Sequence, residues 1–432
     1  MKLKQLTIIF VIKSLSNFSY VSSAIQALGD QHKIHLFFDK HRSKRESSET
    51  VDTFLSLNPH VTADWMQCRT GISRKLIFLI REIRTCVSYL KRKHGSRYYK
   101  TRWLSYIPSI LRPFTYLLKP FYDIFEVLED CTLSSTNIMQ QLLELKPDVV
   151  VATPANHRFS EEIEYVKTAK SLGIPTVIMN HSWDNLTTKG IFHIIPDKLL
   201  VWNKSQAYYA RTIHGIPDKN IEVVGAPFFD KWFEHDTTEY ISVKIGLDPS
   251  QPYCLYLGSS ANIAEDETWL IQKIARHYPQ VLVRPHPANY KNYLWLKEKN
   301  VVVYPRNGKL PDDAQSQHDL RMMIEQSAFV FGINTSAMID AVILNKPCLT
   351  LITNKYNNTQ IETLHFRAMY SSMYVCRKFK DLLKQIKELE TDDKYKPRRE
   401  QFVSENIRPL GGNTPAGWHA ANAILRQAGG NT

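Results

Sequence analysis

The chain alternates short, wholly apolar runs with stretches in which apolar residues recur every three or four positions. Leu6–Ile12 is the first run. Phe18, Val21, Ile25 and Leu28 follow on one helical stripe, closed by Gly29, and Lys33–Phe38 is the next run. Continuous apolar runs suit parallel strands buried on both faces, and the striped stretches suit the helices that cover them. The rhythm resumes with a strand at Asp148–Thr153, a helix at Glu161–Leu172, and a turn and strand over Gly173–Met179. Leu199–Trp202, Gln206–His214 and Ile221–Val224 repeat it. Polar sequence from Glu234 to Glu239 reads as a linker, and a second block places strands at 253–257, 280–284, 300–304, 328–332 and 347–352. The pattern predicts two doubly wound α/β domains facing a cleft, with ligands beyond the carboxyl ends of the strands.

A chain of 432 residues has room for both domains. Its hydrophobic fraction of 43% and charged fraction of 22% are those of a globular protein and exclude disorder as the whole-chain class. No apolar run approaches the roughly 20 residues needed to span a bilayer. The first run is seven residues long with no small-residue cleavage site behind it, so it is expected to be a strand and not a secretory signal. The six cysteines are scattered without a C-x-x-C pair, which fits reduced thiols in a cytoplasm and offers no zinc site.

The net charge of +13 is concentrated. From Arg69 to Lys119 there are thirteen Lys/Arg and one acid, Glu82, whereas the remaining 42 basic residues are balanced by 41 acidic ones. Within this segment Ile72, Leu76, Leu79, Ile83, Val87 and Leu90 mark an amphipathic helix with Arg81, Arg84 and Lys91 off the stripe. Eight aromatics are interleaved with the basic residues. Residues 69–119 are therefore expected to form a basic helical insertion docking on an anionic membrane or a lipid-linked acceptor, with Lys91, Arg92, Lys93, Arg97 and Trp103 in contact.

Four polar clusters follow strands. Gly258-Ser259-Ser260 lets backbone N–H groups approach a phosphate, or is a plain turn. Arg284-Pro285-His286-Pro287 holds a guanidinium fork and an imidazole at a strand end. Gly332-Ile333-Asn334-Thr335-Ser336 precedes a helix that Thr335 or Ser336 could cap, and offers free N–H groups to a diphosphate, with Asp340 one turn in for ribose hydroxyls. His181-Ser182-Trp183-Asp184-Asn185 leads into Thr187, Thr188, Lys189 and Gly190, and either His181 or Asp184 could be a general base. His157, in the loop Thr153–Arg158, is the next candidate.

The motifs R-P-H-P at 284–287, N-T-S-A-M-I-D-A at 334–341 and N-K-P at 345–347 resemble the nucleotide-binding domain of GT-B glycosyltransferases. S-W-D-N-L-T-T-K-G at 182–190, V-W-N at 201–203, V-G-A-P-F-F-D at 224–230, T-Q-I-E-T-L-H-F at 359–366 and I-R-P-L-G at 407–411 are similar to a bacterial branch of surface-polysaccharide proteins of that type. Capsule Kdo transferases and CDP-glycerol glycerophosphotransferases are the comparable enzymes. The resemblance implies two Rossmann-like domains: an N-terminal acceptor domain over 1–238, a nucleotide-donor domain over 239–408, and a tail over 409–432 returning to the first. It implies that Ser259, Ser260, Arg284, His286, Asn334, Thr335 and Ser336 meet the donor phosphates, Asp340 the ribose and Gln360 the donor sugar. It also implies no obligatory metal and no cofactor beyond the nucleotide-sugar substrate.

The expected function is transfer of a sugar from a nucleotide-sugar donor to a surface-polysaccharide or lipid-linked acceptor. The expected location is cytoplasmic, peripheral on the inner face of a bacterial membrane. Glycerophosphate transfer from CDP-glycerol and nucleotide-sugar epimerisation are alternatives on the same fold. A non-catalytic polyanion-binding protein is a second alternative. It is disfavoured, with nucleic acid not an expected partner, because the basic block explains none of the strand-end motifs.

Overall fold

The computed structural model describes residues 4–91, 97–234, 241–261, 263–353, 355 and 363–429. The chain divides into two compact units: Met1–Asp230 with Glu405–Thr432, and Lys231–Ser404 between them. The divisions thus fall at 230 and 404, where the sequence suggested 238 and 408. The reason is Asp230. Its carboxylate accepts hydrogen bonds from Ser23 Oγ, from Arg408 and from the Ala416 and Gly417 N–H groups, which fixes 408–417 to the first unit. The expected linker at 234–239 lies largely outside the described residues.

The first unit is a seven-stranded, all-parallel sheet of β1 (Thr7–Ile12), β2 (Lys33–Phe38), β3 (Val61–Trp65), β4 (Val149–Thr153), β5 (Thr176–Met179), β6 (Lys198–Val201) and β7 (Ile221–Val223), in spatial order 3-2-1-4-5-6-7. Alternate residues serve opposite faces. Ile8, Phe10 and Ile12 pack with Ile25, Leu28, Ala420 and Ile424, while Ile9 and Val11 pack with Ile163 and Val166. Burying such a side chain contributes about 1.5–3 kcal/mol. The C-terminal helix Ala416–Gln427 lies so close to the helix Ser22–Leu28 that a Cβ at Gly417 would sit 2.1 Å from Ser23 Oγ.

The second unit is a six-stranded parallel sheet of β8 (Tyr253–Leu257), β9 (Gln280–Arg284), β10 (Val301–Val303), β11 (Val330–Gly332), β12 (Cys348–Leu351) and β13 (Tyr374–Cys376), in order 10-9-8-11-12-13. Strand order reverses between β1 and β4 in one sheet and between β8 and β11 in the other. Each unit therefore has its own crevice at the carboxyl edge.

The basic segment lies between β3 and β4 and extends past 119. It comprises helices Gly71–Lys91, Arg97–Ser105, Arg112–Leu117 and Tyr122–Cys131 with 3₁₀ turns between them. Over the first half of its long helix the apolar stripe faces outward. Ile72, Leu76 and Leu79 are exposed, whereas Arg81 and Arg84 are buried. Arg81 forms ion pairs with Glu129 and Glu164, Arg69 with Glu164, and Arg84 with Glu126. These acids lie outside the window in which charge was counted, so much of the expected surface charge is neutralised inside the protein. Trp103 is also corrected. It is 5% exposed, stacked on Tyr89 at 5.6 Å, with its indole N–H aimed at the Thr188 carbonyl. Lys91 is exposed and lies over the Tyr122 ring. Arg92 and Lys93 lie outside the described residues, as does the side chain of Arg97. Among the described residues, no helix is long and apolar enough to cross a membrane.

Candidate active site in two strand-edge clusters

In the first unit, Lys13 stands one residue past β1, His157 in the loop after β4, and His181 just past β5. Parallel strands in register bring these three chain positions together. Lys13 Nζ lies 2.7 Å from His157 Nδ1, and the His157 and His181 rings meet edge-on with centroids 5.1 Å apart. Tyr20 packs on His181 at 4.6 Å and stacks on Phe228 at 4.4 Å. Burial pushes Lys13 down to about 8, helped by repulsion from Arg42. Burial, with the charge of Lys13, pushes His181 down to about 3. His157 is held well below the ordinary imidazole value, by burial first and by His181 and Lys13 after it. Both imidazoles are thus neutral near pH 7, and among the described residues His157 Nε2 and His181 Nδ1 are buried with no hydrogen-bond partner. An anion binding beside them offsets the lysine charges and raises their basicity.

Asp184 has a different setting. Its carboxylate accepts from Ser182 Oγ at 2.9 Å and Thr188 Oγ1 at 2.7 Å and pairs with Lys189 at 3.0 Å. These bonds hold the turn Asn185–Thr188, so Asp184 shapes the loop. Asn156 donates to the Asn185 and Gly190 carbonyls and joins that loop to the one carrying His157. Lys13 was missed in the sequence. The signal for it was its position directly after the first strand.

In the second unit, Arg284, Asn334 and Asp340 gather around the edge of β8, β9 and β11. Arg284 is buried, its guanidinium donates to the Lys309 carbonyl, and burial lowers it to about 10 against the attraction of Asp340. His286 Nδ1 accepts the Ala288 N–H, so the neutral ring carries its proton on Nε2 as a donor. Asn334 adopts φ 45°, accepts from Tyr370 through Oδ1, and buries Nδ2 without a partner among the described residues. Ser260 is half-buried and Ser336 exposed. Thr335 Oγ1 accepts the Ala337 N–H, and Ala337, not Thr335 or Ser336, stands at the N-cap of Met338–Ile343.

Two expected contacts differ. Ser259 is 1% exposed, donates to the Ile333 carbonyl and gives its N–H to Glu267, so it ties the β8 loop to the β11 loop instead of facing a ligand. Asp340 Oδ1 accepts the Trp232 indole N–H at 2.8 Å, and burial raises the carboxyl to about 6 against the pull of Lys231. The setting of Asp340 between Trp232, Lys231 and Arg284 was not legible from its helix position. Gly258 is required where it stands, because a Cβ would sit 2.9 Å from both His286 N and Tyr293 Oη. Gln360 lies outside the described residues.

No family model matches the chain, and no curated protein matches it in sequence. Solved structures do match it. UDP-GlcNAc 2-epimerase from Methanocaldococcus jannaschii aligns with TM-score 0.57 and 14% identity, over 98% of this chain and 100% of that one. UDP-GlcNAc 2-epimerase from Neisseria meningitidis, solved with UDP-GlcNAc bound, aligns with TM-score 0.53 and 12% identity, over 98% and 99%. The wall teichoic acid polymerase TagF aligns with TM-score 0.51 and 11% identity, over 99% and 90%. The two Rossmann-like units therefore have the GT-B fold.

Proposed function

We propose that this protein is a glycosyltransferase that moves a sugar from a nucleotide-sugar donor to a surface-polysaccharide or lipid-linked acceptor. The observation that carries this reading is the pair of polar clusters, one at the switch point of each sheet. Arg284, the His286 Nε2–H and the unpartnered Asn334 amide suit a donor phosphate. Lys13, His157 and His181 suit an acceptor hydroxyl. In the reaction the acceptor oxygen forms a bond to the anomeric carbon and the bond from that carbon to phosphate breaks. With Lys13 as the neutral amine, the form that gains ground as pH rises towards 8, the hydroxyl proton enters His157 at Nε2 while Nδ1 passes its proton to Lys13. Arg284 offsets the charge that grows on the leaving phosphate.

The structural relatives support an enzyme of nucleotide-activated substrates more broadly. They favour epimerisation of a nucleotide sugar as the second reading, with glycerophosphate transfer from CDP-glycerol beside it. Measuring nucleotide release with and without a membrane-extract acceptor separates these. Acceptor-dependent release supports transfer, whereas interconversion of the sugar without acceptor overturns it in favour of epimerisation. CDP-glycerol as the only donor that releases nucleotide assigns glycerophosphate transfer.

A further inference from the structure

Between the helix Gly71–Lys91 and the short helical pieces over 107–118, the first unit leaves a pocket of about 920 Å³. Its walls are apolar: Ile83 and Cys86 on the long helix, Ile107, Pro108 and Leu118 opposite. Its mouth is apolar as well, since Leu79, Leu111 and Phe114 line it and are 56%, 49% and 57% exposed. A volume of this size is that of a site for a sizeable small molecule.

The surface around it points the same way. Of 26 exposed large hydrophobic side chains in the described residues, 14 lie between Ile72 and Leu133. Exposed apolar side chains concentrated in one segment suit an interface, and cations set among them suit anionic headgroups. One end of the pocket is cationic, where Arg42, Arg74, Lys75 and Arg158 outnumber Asp39 and Glu82. Arg74 is paired with Glu161, Arg158 with Glu82 and Arg42 with Asp39. Lys75 is exposed, and no hydrogen bond or ion pair engages it among the described residues. Arg158 and Phe159 directly follow His157 in the chain, so the cationic end adjoins the Lys13–His157 pair.

We propose that this pocket takes the apolar chain of a lipid-phosphate acceptor presented at a membrane surface, with its phosphate on Lys75, Arg74 and Arg158 beside His157. The inference rests on the transferase reading and names the acceptor class for it. The cavity accepts a single long chain, the exposed rim meets the membrane, and the charge is placed where the headgroup emerges.

The test uses the full-length protein and three probes in titration calorimetry: dodecyl phosphate below its micelle concentration, dodecanol and inorganic phosphate. Dodecyl phosphate is expected to bind most tightly. The exposed-site variant Leu79→Asp with Phe114→Asp is expected to weaken it by about tenfold or more, as removal of apolar contact requires. Lys75→Glu is expected to weaken dodecyl phosphate by about tenfold, the scale of a charge-assisted contact, and to leave dodecanol unchanged. Wild-type protein is expected to float with vesicles of phosphatidylcholine and phosphatidylglycerol and the Asp variant to remain in solution. Dodecyl phosphate binding no tighter than inorganic phosphate, or both variants binding it as wild type does, overturns the proposal. Self-association through this face, with no lipid binding, also overturns it. A thermal-shift screen with UDP, GDP, CDP, CMP and dTDP is run in parallel. Nucleotide binding without lipid-phosphate binding removes the pocket assignment alone; lipid-phosphate binding without nucleotide binding removes the transferase reading, and with it the acceptor role, while the lipid-phosphate site stands.

Discussion

Lys13 Nζ lies 2.7 Å from His157 Nδ1 at the point where the first sheet reverses its strand order, and Lys13 is held near 8 by burial. A lysine that ionises so near neutrality is partly the neutral amine near pH 7 and increasingly so above it, and in that form it can receive a proton from the imidazole beside it; an ordinary lysine stays charged and cannot.

His157→Gln is expected to lower turnover by about 10²-fold or more, the scale of a lost acid–base group, with the melting temperature nearly unchanged. Asp184→Asn is expected to do the opposite, because its carboxylate holds Ser182, Thr188 and Lys189 in the turn. It should lower the melting temperature and keep turnover within several-fold. Steady-state nucleotide release and thermal melts of both variants check this. Normal turnover in His157→Gln would move the base to His181.

Stability should depend on pH through Lys13. Its folded value of about 8 lies below the model-peptide 10.5, so between those values the unfolded chain binds the extra proton. Stability contributed by this group therefore rises with pH from about 8 to about 10.5. Lys13→Met should abolish that increment and raise stability at pH 7, where the buried ammonium is costly. Urea unfolding of both proteins at pH 7 and pH 10 measures the difference, and parallel pH curves would show that Lys13 is not the source.

Arg284→Ala should weaken nucleoside diphosphate binding by about 1.5–3 kcal/mol, as expected for a hydrogen bond to a charged group, and barely alter nucleoside binding. Calorimetry with both ligands decides it. Equal losses would assign Arg284 to the support of Asp340 and the strand edge.

Arg81→Leu should destabilise the fold by about 3 kcal/mol, because it breaks two buried ion pairs and leaves Glu129 with Lys167 alone and Glu164 with Arg69 alone. The exposed Lys75→Glu should change stability by no more than about 0.5 kcal/mol. Denaturant midpoints of the two variants test whether the basic segment is partly an interior ion-pair network. Equal, small shifts would return all of its charge to the surface.

The strand runs were legible because each is continuous and apolar, and the first two and most later ones fall where the sequence put them. β3 was missed because Val61–Trp65 exposes every residue but the first, and β13 because Tyr374–Cys376 is a short edge strand with Val375 exposed. The stripe at Ile72, Leu76 and Leu79 was a sound periodicity that left open which face the core would take. Periodicity reports that a helix has two faces, and here the core takes the one carrying Arg81 and Arg84 because carboxylates wait inside it.

What the sequence by itself determined is local: where strands end, and so which residues stand at a carboxyl edge, including His181, Arg284, His286 and Asn334. What only the tertiary structure decided is partnership across long chain separations. Lys13 meets His157 over 144 positions, Trp232 takes Asp340 over 108, and Glu129 neutralises Arg81 over 48. Strand and helix signals depend on neighbours a few residues apart. Proton affinity and charge depend on which groups are desolvated together, and that is set by packing.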